Sequence, residues 1–249
     1  MTLHTNDHHI SSSLRAVRGQ RLKREDRERM ILQGATEMFA ELGFEAASTT
    51  LLAQRLGITQ PLLYRYFPSK EQLIDRVFQE VFSPGWYARW RRILRDCERS
   101  ASQRLIAFYT DYMDTVLTRD HVRLFMFGSL SGLPYNARHY DVMRQQIFPL
   151  ILQALREEQG RSCGELPPTM LEMELIQSLH GAIYHLAIRR WIHAPPVPLP
   201  MPSADLIELK VVGFLRGANA SWSALEPGFE SAGQLTQAKF LLKRSLARA

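Results

Sequence analysis

The chain has 249 residues, of which 45% are hydrophobic, so it can form one large domain or two modest ones around a real core. Its formal net charge of +6 favours polyanionic partners without identifying them. Cys97 and Cys163 make no disulfide framework, and the sequence has neither an apolar run long enough for a membrane span nor an apolar signal core, so we expect a cytoplasmic protein.

Residues 1–22 are polar and have no helical periodicity, which predicts a flexible arm. The end of the arm is basic, because no acidic residue lies between Ser13 and Arg24. The cations of this stretch are Arg15, Arg18, Arg21, Lys23 and Arg24. The histidines at positions 4, 8 and 9 fit a disordered tail better than a metal site.

A first helix is predicted from about Arg24 to Leu42. Its apolar residues recur at helical spacing and form one stripe: Ile31, Ala35, Met38, Phe39 and Leu42. Gly43 follows directly and is predicted to end the helix, because glycine adopts the left-handed conformation of a helix terminus without strain.

Two short helices separated by a turn at Gly57 are predicted between residues 52 and 70. Thr59 stands where an N-cap oxygen satisfies free backbone donors, and Pro61 suits the first turn of the helix that follows. Ser69 then opens a further helix with the spacing of a capping box. A break at residues 83–85 ends this N-terminal segment.

The second of the short helices presents an unusual surface. It is predicted to bury Leu63 and Phe67 and to turn its other side chains outward: Gln60, Pro61, Leu62, Tyr64, Arg65 and Tyr66. A soluble protein rarely exposes several large side chains from one short helix unless they meet a partner. A helix-turn-helix that binds the major groove of DNA needs such a surface.

This pattern resembles the N-terminal domain of the TetR family of bacterial transcriptional regulators. The residues that carry the resemblance are Ile31, Ala35, Phe39, Gly43, Phe44, Ser48, Tyr64, Tyr66, Phe67, Ser69, Lys70, Glu71 and Leu73. Pro61 departs from the pattern, since the family usually has a small residue there. The proline is tolerated in a first helical turn, so it bears on base preference rather than on the fold.

The resemblance implies a DNA-binding set made of Ser48, Thr49, Thr59, Gln60, Pro61, Tyr64, Arg65, Tyr66 and Lys70. In the family the positions of Tyr64, Tyr66 and Lys70 touch DNA, and hydroxyl and ammonium groups donate to phosphate oxygens there. Packing of one of the tyrosines on the first helix is the alternative interpretation.

The other members of the set have different predicted roles. Gln60 and Arg65 can form paired hydrogen bonds with base edges. Ser48 and Thr49 begin a helix, where backbone N–H groups and the helix dipole favour a phosphate. The arginines of the arm either enter the adjacent minor groove or form a solvated tail, and both interpretations stay open.

The remainder of the chain is also predicted to be helical, with helices over residues 86–97, 105–117, 122–130, 137–158 and 168–192. Five prolines between Ala194 and Pro202 predict an extended connector. Ser203 caps a last main helix that runs to about Trp222, and a short helix is predicted over residues 235–246. No alternating strand pattern occurs, so the predicted fold is all-α.

The resemblance implies that the last two main helices of each subunit pair into a four-helix dimer interface. Gly213 and Gly217 allow helices to approach closely and are assigned to it, together with His180 and Tyr184. A metal site is not predicted at His180, because His185 is five residues away rather than three or four, and packed, hydrogen-bonded histidines are the better interpretation.

The middle helices are rich in aromatic and methionine residues, which either enclose a ligand pocket or form ordinary core. They are Trp90, Phe108, Tyr109, Tyr112, Met113, Phe125, Met126, Phe127, Tyr135, Tyr140, Met143 and Phe148. The sequence has no glycine-rich phosphate loop, nucleophile elbow or paired-carboxylate motif. We therefore expect neither an enzyme nor a cofactor or metal.

The expected organisation is an arm (1–22), a TetR-like helix-turn-helix DNA-binding domain (23–82), a helical effector-binding and dimerisation domain (86–225) and a tail (226–249). It implies a homodimeric repressor that binds a palindromic double-stranded DNA operator and is released by a small-molecule effector of unknown identity. One alternative is a constitutive DNA-binding architectural protein without an effector. Another is an enzyme, which would need a catalytic constellation that the sequence lacks.

Overall fold

The computed structural model describes residues 23–160, 168–193 and 197–229, with side chains up to Ala218 in the last helix. Over these ranges the secondary structure is helical with no β-strand, which confirms the predicted all-α fold. Contacts divide the chain into two compact units, and the boundary lies between Glu80 and Val81. The arm at 1–22 and the helix predicted over 235–246 lie outside the described residues.

The N-terminal unit begins with α1 (Arg24–Ala46), α2 (Thr49–Arg55), α3 (Gln60–Tyr66) and α4 (Lys70–Val81). Gly43 has φ 76° and ψ 173°, so it interrupts α1 where the sequence predicts the end of the helix. Gly57 has φ 62° and forms the turn between α2 and α3. Both predictions about these glycines are confirmed.

The core of the N-terminal unit joins its helices through buried apolar side chains. Ile31 and Phe39 of α1, Leu52 of α2 and Leu63 of α3 are all at most 1% exposed. Gly34 leaves room on α1 for the Leu56 side chain at the end of α2, because a Cβ atom at this position would lie 2.7 Å from Leu56 Cδ2. This packing fixes α2 and α3 as a rigid helix-turn-helix on α1.

The C-terminal unit contains α5 (Pro84–Leu94), α6 (Ala101–Thr115), α7 (Arg119–Leu130), α8 (Tyr135–Val142), α9 (Phe148–Glu158), α10 (Met170–Trp191) and α11 (Ser203–Phe229). Its centre is α6, which packs on α5, α9, α10 and α11. Trp90 of α5 is fully buried and meets the rings of Phe108 and Tyr112 edge-on at centroid distances of 5.7 and 5.3 Å. None of the described helices has the length and hydropathy that a membrane span requires.

Two of the predicted helices differ in the structure. The helix expected over 137–158 is divided by a π-helical turn, Met143–Ile147, between α8 and α9. Phe148 donates its N–H to the carbonyl of Met143, and Pro149, which has no N–H, cannot resume the regular ladder at the next position. The last helix continues past Trp222 to Phe229.

A buried ion pair joins α9 to α10. Arg156 donates from Nε and Nη2 to the two carboxylate oxygens of Glu172, at 2.7 and 2.8 Å, and the Glu172 side chain is 1% exposed. The same carboxylate accepts the backbone N–H of Thr169 at 2.7 Å, while the Thr169 hydroxyl accepts the N–H of Glu172. The start of α10 is therefore held in one register against α9.

Removing one partner of this pair should destabilise the protein strongly. Glu172→Ala removes the carboxylate that accepts two hydrogen bonds from the buried Arg156 guanidinium, and we expect the free energy of unfolding to fall by about 3–5 kcal/mol. The double variant Arg156→Met/Glu172→Met should lower the free energy of unfolding less than the single variant, because it removes both buried charges of the pair. Urea unfolding measures both.

The matched control is Asp141→Ala, which breaks the exposed pair between Asp141 and Arg144 in the same unit, with a separation of 3.8 Å. An exposed pair contributes about 0–1 kcal/mol, so the free energy of unfolding of this variant should stay close to that of the wild type. Equal decreases in the free energy of unfolding for Glu172→Ala and Asp141→Ala would contradict the role given to the buried pair.

Candidate nucleic-acid interface and internal cavity

The two short helices of the N-terminal unit begin at the caps that the sequence predicts. The Ser48 hydroxyl accepts the backbone N–H of Leu51 at 3.1 Å at the start of α2. The Thr59 hydroxyl accepts the N–H of Leu62 at 3.4 Å at the start of α3, with Pro61 in the first turn. These local hydrogen bonds fix where α3 starts and hence which of its side chains face outward.

The outward surface of α3 is narrower than the sequence predicts. Pro61, Tyr64 and Arg65 are exposed, and the tyrosine side chain is 40% accessible. Gln60, Leu62 and Tyr66, expected to face outward, are partly buried. A seven-residue helix that packs its Leu63 row on a core cannot leave every other side chain in solvent.

A hydrogen-bond network joins α2 to this surface. The Thr49 hydroxyl lies 3.0 Å from the Tyr64 hydroxyl, and the Gln60 Nε2 group donates to the same Thr49 oxygen at 3.2 Å. Thr49 thus holds Gln60 and Tyr64 together on one side of α3. All three residues belong to the DNA-binding set expected from the sequence, but this link was not predicted, because it joins residues 11 and 15 positions apart.

The start of α4 borders the same segment. Lys70 is the first residue of α4 and is partly buried. The Ser69 hydroxyl accepts the N–H of Gln72 at 3.2 Å, as its predicted capping role requires. Hydroxyl, guanidinium and ammonium groups on consecutive elements suit phosphate contacts, and the exposed Arg65 suits a guanine edge.

The C-terminal unit contains a cavity of about 260 Å³. Its aromatic wall is formed by Phe82, Tyr112, Phe125, Tyr140 and Tyr184. The remaining lining residues are Asn136, His139, Met143 and His180. Three aromatic residues that the sequence left open between pocket and core thus line a cavity: Tyr112, Phe125 and Tyr140. Phe82, Asn136 and His139 were missed, although the three-residue spacing of Asn136 and His139 puts both on one face of α8.

His180 and Tyr184 occupy a different place from the one that the sequence suggested. We expected both at a dimer interface, but the structure puts both side chains on the wall of this cavity. The ring of His180 lies 5.0 Å from that of Tyr112 and 5.5 Å from that of Phe148. Helical spacing alone cannot tell the cavity face of α10 from its outer face, because both faces carry polar residues.

Three polar atoms at the cavity are buried without a hydrogen-bond partner among the residues that the structure describes: His139 Nε2, Asn136 Oδ1 and His180 Nδ1. The other ring nitrogen of His139 lies 2.6 Å from the Tyr87 hydroxyl. The expectation that His180 is a hydrogen-bonded core residue is therefore wrong for its Nδ1 atom, which has no partner among the described residues. Buried polar atoms without partners are uncommon and call for a functional explanation.

Both histidines are uncharged at neutral pH. Burial lowers the pKa of His139 to about 3, with a smaller contribution from the nearby His180. Burial alone lowers the pKa of His180 to about 4. Within the described ranges, no cluster of histidine, cysteine, aspartate and glutamate side chains is arranged to hold a metal ion.

Residues 31–77 match the family model described as bacterial regulatory proteins, tetR family. This match begins in the buried stripe of α1 and ends within α4, so it contains the whole helix-turn-helix.

Similar proteins were found at both the sequence and the structural level. The HTH-type transcriptional activator FasR of Mycolicibacterium smegmatis is 40% identical over 62 residues, which is 25% of this chain and 28% of FasR. The HTH-type transcriptional repressor KstR2 of the same species is 30% identical over 108 residues, or 42% of this chain and 51% of KstR2. The chain thus matches about half of these relatives or less.

The solved structure of the ketosteroid transcriptional regulator KstR2 of Mycobacterium tuberculosis superposes with a TM-score of 0.58. The superposition covers 80% of this chain and 96% of the other, at 20% sequence identity. At this identity the likeness concerns the fold alone. It extends beyond the helix-turn-helix into the C-terminal helices, where the sequence comparisons are weaker.

Proposed function

We propose that this chain, which belongs to the TetR family of bacterial regulatory proteins, is a homodimeric repressor that binds a palindromic operator and releases it when a small molecule binds. The observation that carries the proposal is the exposed surface of α3, with Pro61, Tyr64 and Arg65 outward. This surface lies inside the segment that matches the family model. Repression is the proposed direction because occupation of a promoter alone suffices for it.

The N-terminal surface supports separate roles on DNA, in which some residues contact phosphates and others contact bases. Tyr64, Tyr66 and Lys70, with Ser48 and Thr49 at the start of α2, contact phosphates and set the position of the protein. Arg65 and Gln60 contact base edges, and Thr59 and Pro61 fix the start of α3 beside them. The bond from Gln60 to Thr49 orders the glutamine before DNA arrives, which reduces the entropy lost on binding.

The C-terminal helices support dimerisation through α10 and α11. Leu209, Gly213 and Gly217 follow one another at four-residue spacing on α11, all three are exposed, and the leucine is 60% accessible. On α10 the exposed residues include Ser178, Gly181 and His185. Small residues on two adjacent helices let the same helices of a second subunit pack closely. His180 and Tyr184, by contrast, belong to the cavity wall.

The cavity supports a regulated protein over a constitutive DNA-binding architectural protein. It is lined mainly by aromatic side chains and has polar atoms without partners among the described residues. A ligand that binds better to a conformer with wrongly spaced recognition helices would lower DNA affinity by a population shift. An architectural protein predicts no such change. We propose no enzymatic activity, because no catalytic constellation is evident among the described residues.

The DNA-binding roles predict that Arg65→Ala and Lys70→Ala weaken DNA binding in two different ways. Arg65→Ala should relax the preference at particular base pairs, at a cost of about 1–3 kcal/mol for a good bidentate contact. Lys70→Ala should weaken binding to all sequences alike and flatten its salt dependence, since a phosphate contact releases counterions. Selection of duplexes from a random pool, followed by affinity measurements at several salt concentrations, separates the two effects.

A matched control for the lost charge is Arg55→Ala on α2, which removes an arginine that pairs with Glu41 at 2.6 Å. This variant should keep the base preference of the wild type. The role assignment would be reversed if Lys70→Ala changed the selected consensus while Arg65→Ala did not. The proposed function would fail if the folded wild-type protein selected no consensus.

The proposed interface predicts that Gly217→Glu disrupts the dimer. A Cβ at Gly217 meets nothing within 4 Å in the described part of its own chain, so the subunit itself should still fold. Against a second copy, the glutamate would add bulk and an uncompensated charge between helices. Sedimentation should therefore show monomers, with operator binding lost because a single half-site contact is weak.

Ala137→Glu is the control, since it adds the same charge at an exposed position on α8, outside the proposed interface. It should sediment like the wild type. A Gly217→Glu protein that stays a stable dimer with unchanged DNA affinity would place the interface elsewhere.

A further inference from the structure

We propose that the cavity of the C-terminal unit binds an uncharged, flat-ring compound carrying a hydroxyl group, which hydrogen-bonds to His139 and Asn136. The inference rests on the proposed function in one respect, namely that this compound acts as the effector. Its chemistry follows from three features of the cavity: the charge, the shape and the unpartnered polar atoms of the wall.

The wall excludes a charged ligand. In the part of the chain that the structure describes, no lysine, arginine, aspartate or glutamate lines the cavity. Both wall histidines are neutral, because burial lowers the pKa of each far below neutrality. A carboxylate or an ammonium group would therefore lose its hydration without gaining a counter-charge, which strongly disfavours binding.

The shape of the wall favours a flat ring. Phe82 is stacked on Phe125 with 5.1 Å between centroids and 6° between planes. It is also stacked on His139 at 4.4 Å and 13°. Near-parallel rings present flat faces and edges against which another ring packs well. The volume of about 260 Å³ exceeds the ~150 Å³ cavity that accommodates benzene in another protein, so it suits one substituted ring or two fused rings.

The tautomer of His139 determines the first polar contact. The Tyr87 hydroxyl lies 2.6 Å from Nδ1. A phenol is the stronger donor and a neutral imidazole nitrogen the stronger acceptor, so Tyr87 donates to Nδ1 and the ring hydrogen resides on Nε2. That Nε2–H group is buried and has no acceptor within the described ranges. The ligand must therefore supply an acceptor oxygen.

The orientation of Asn136 determines the second contact. Its Nδ2 group donates to the carbonyl of Phe125 at 2.7 Å and to the hydroxyl of Ser129 at 2.5 Å, which uses both amide hydrogens. The Oδ1 atom is then a fixed acceptor, and the described residues supply no donor to it. Asn136 and His139 are one turn apart on α8, so both atoms reach the same side of the cavity.

A hydroxyl group satisfies both residues at once. Its oxygen accepts from His139 Nε2–H and its hydrogen is donated to Asn136 Oδ1. A carbonyl oxygen would satisfy only the histidine, and an unsubstituted hydrocarbon would leave both atoms without partners. The wall thus distinguishes a neutral phenol or cyclic alcohol from the corresponding hydrocarbon and from the corresponding acid.

Three bicyclic probes test this on the full chain: 2-naphthol, naphthalene and 2-naphthoate. They share the ring system and differ in the group that meets His139 and Asn136. By calorimetry or equilibrium dialysis at neutral pH, 2-naphthol should bind about tenfold more tightly than naphthalene, as expected for the gain of hydrogen bonds to buried partners. The naphthoate should bind more weakly than naphthalene.

Two variants locate the contact. His139→Phe keeps a ring in the stack, and Asn136→Leu keeps a side chain of similar size, while each removes one hydrogen-bonding partner. Each should bring the affinity for 2-naphthol close to that for naphthalene and leave naphthalene binding as in the wild type. Arg138→Gln, an exposed change on the same helix, should alter neither affinity. Thermal unfolding of each variant checks that it folds.

The probe series on the wild type decides the question even if a variant fails to fold. Tighter binding of the naphthoate than of the naphthol, or equal binding of naphthol and naphthalene, would overturn the inference. Operator binding without any probe is a separate measurement. Its absence would overturn the proposed function and leave the ligand result standing, whereas intact operator binding with no naphthol binding would overturn this inference alone.

Discussion

The buried ion pair between Arg156 and Glu172 is the constraint on which the C-terminal unit depends, because it fixes the position of α10 along its own axis. A slip of one turn would separate two charges that are both largely excluded from water. With its start held, α10 places His180 and Tyr184 on the cavity wall two to three turns later, and Ser178, Gly181 and His185 on its exposed side. One helix therefore carries both the cavity face and the proposed dimer face.

This double role of α10 suggests how a ligand would influence DNA binding. A compound that fills the cavity presses on His180 and Tyr184, and the helix that bears them also forms part of the proposed interface. The π-turn at residues 143–147 is a second place where the helix can shift when a ligand binds. Met143 lines the cavity, and π-turns are less regular than α-helix. A packed core transmits such shifts as movements of whole helices.

Local signals made the N-terminal unit predictable from sequence. Ser48, Thr59 and Gly43 act within three or four residues of themselves, so caps and the helix break follow directly from residue type. The family resemblance is confirmed on the same segment. By contrast, the Thr49 network and the position of His180 depend on which elements pack together. The sequence periodicity of α10 shows that one face is buried, but it does not show that a cavity lies beside it.

We propose that α3 lies in the major groove of DNA at two symmetry-related half-sites. Protection of guanine N7 from methylation, on a duplex selected by the protein, measures this directly, because N7 faces the major groove. We expect two protected clusters with centres about one helical turn apart, ~34–36 Å, and loss of protection with Arg65→Ala only at the guanines that Arg65 contacts in each cluster. Unprotected guanines in a fully bound duplex, or protection at one site only with protein shown to be dimeric, would contradict it.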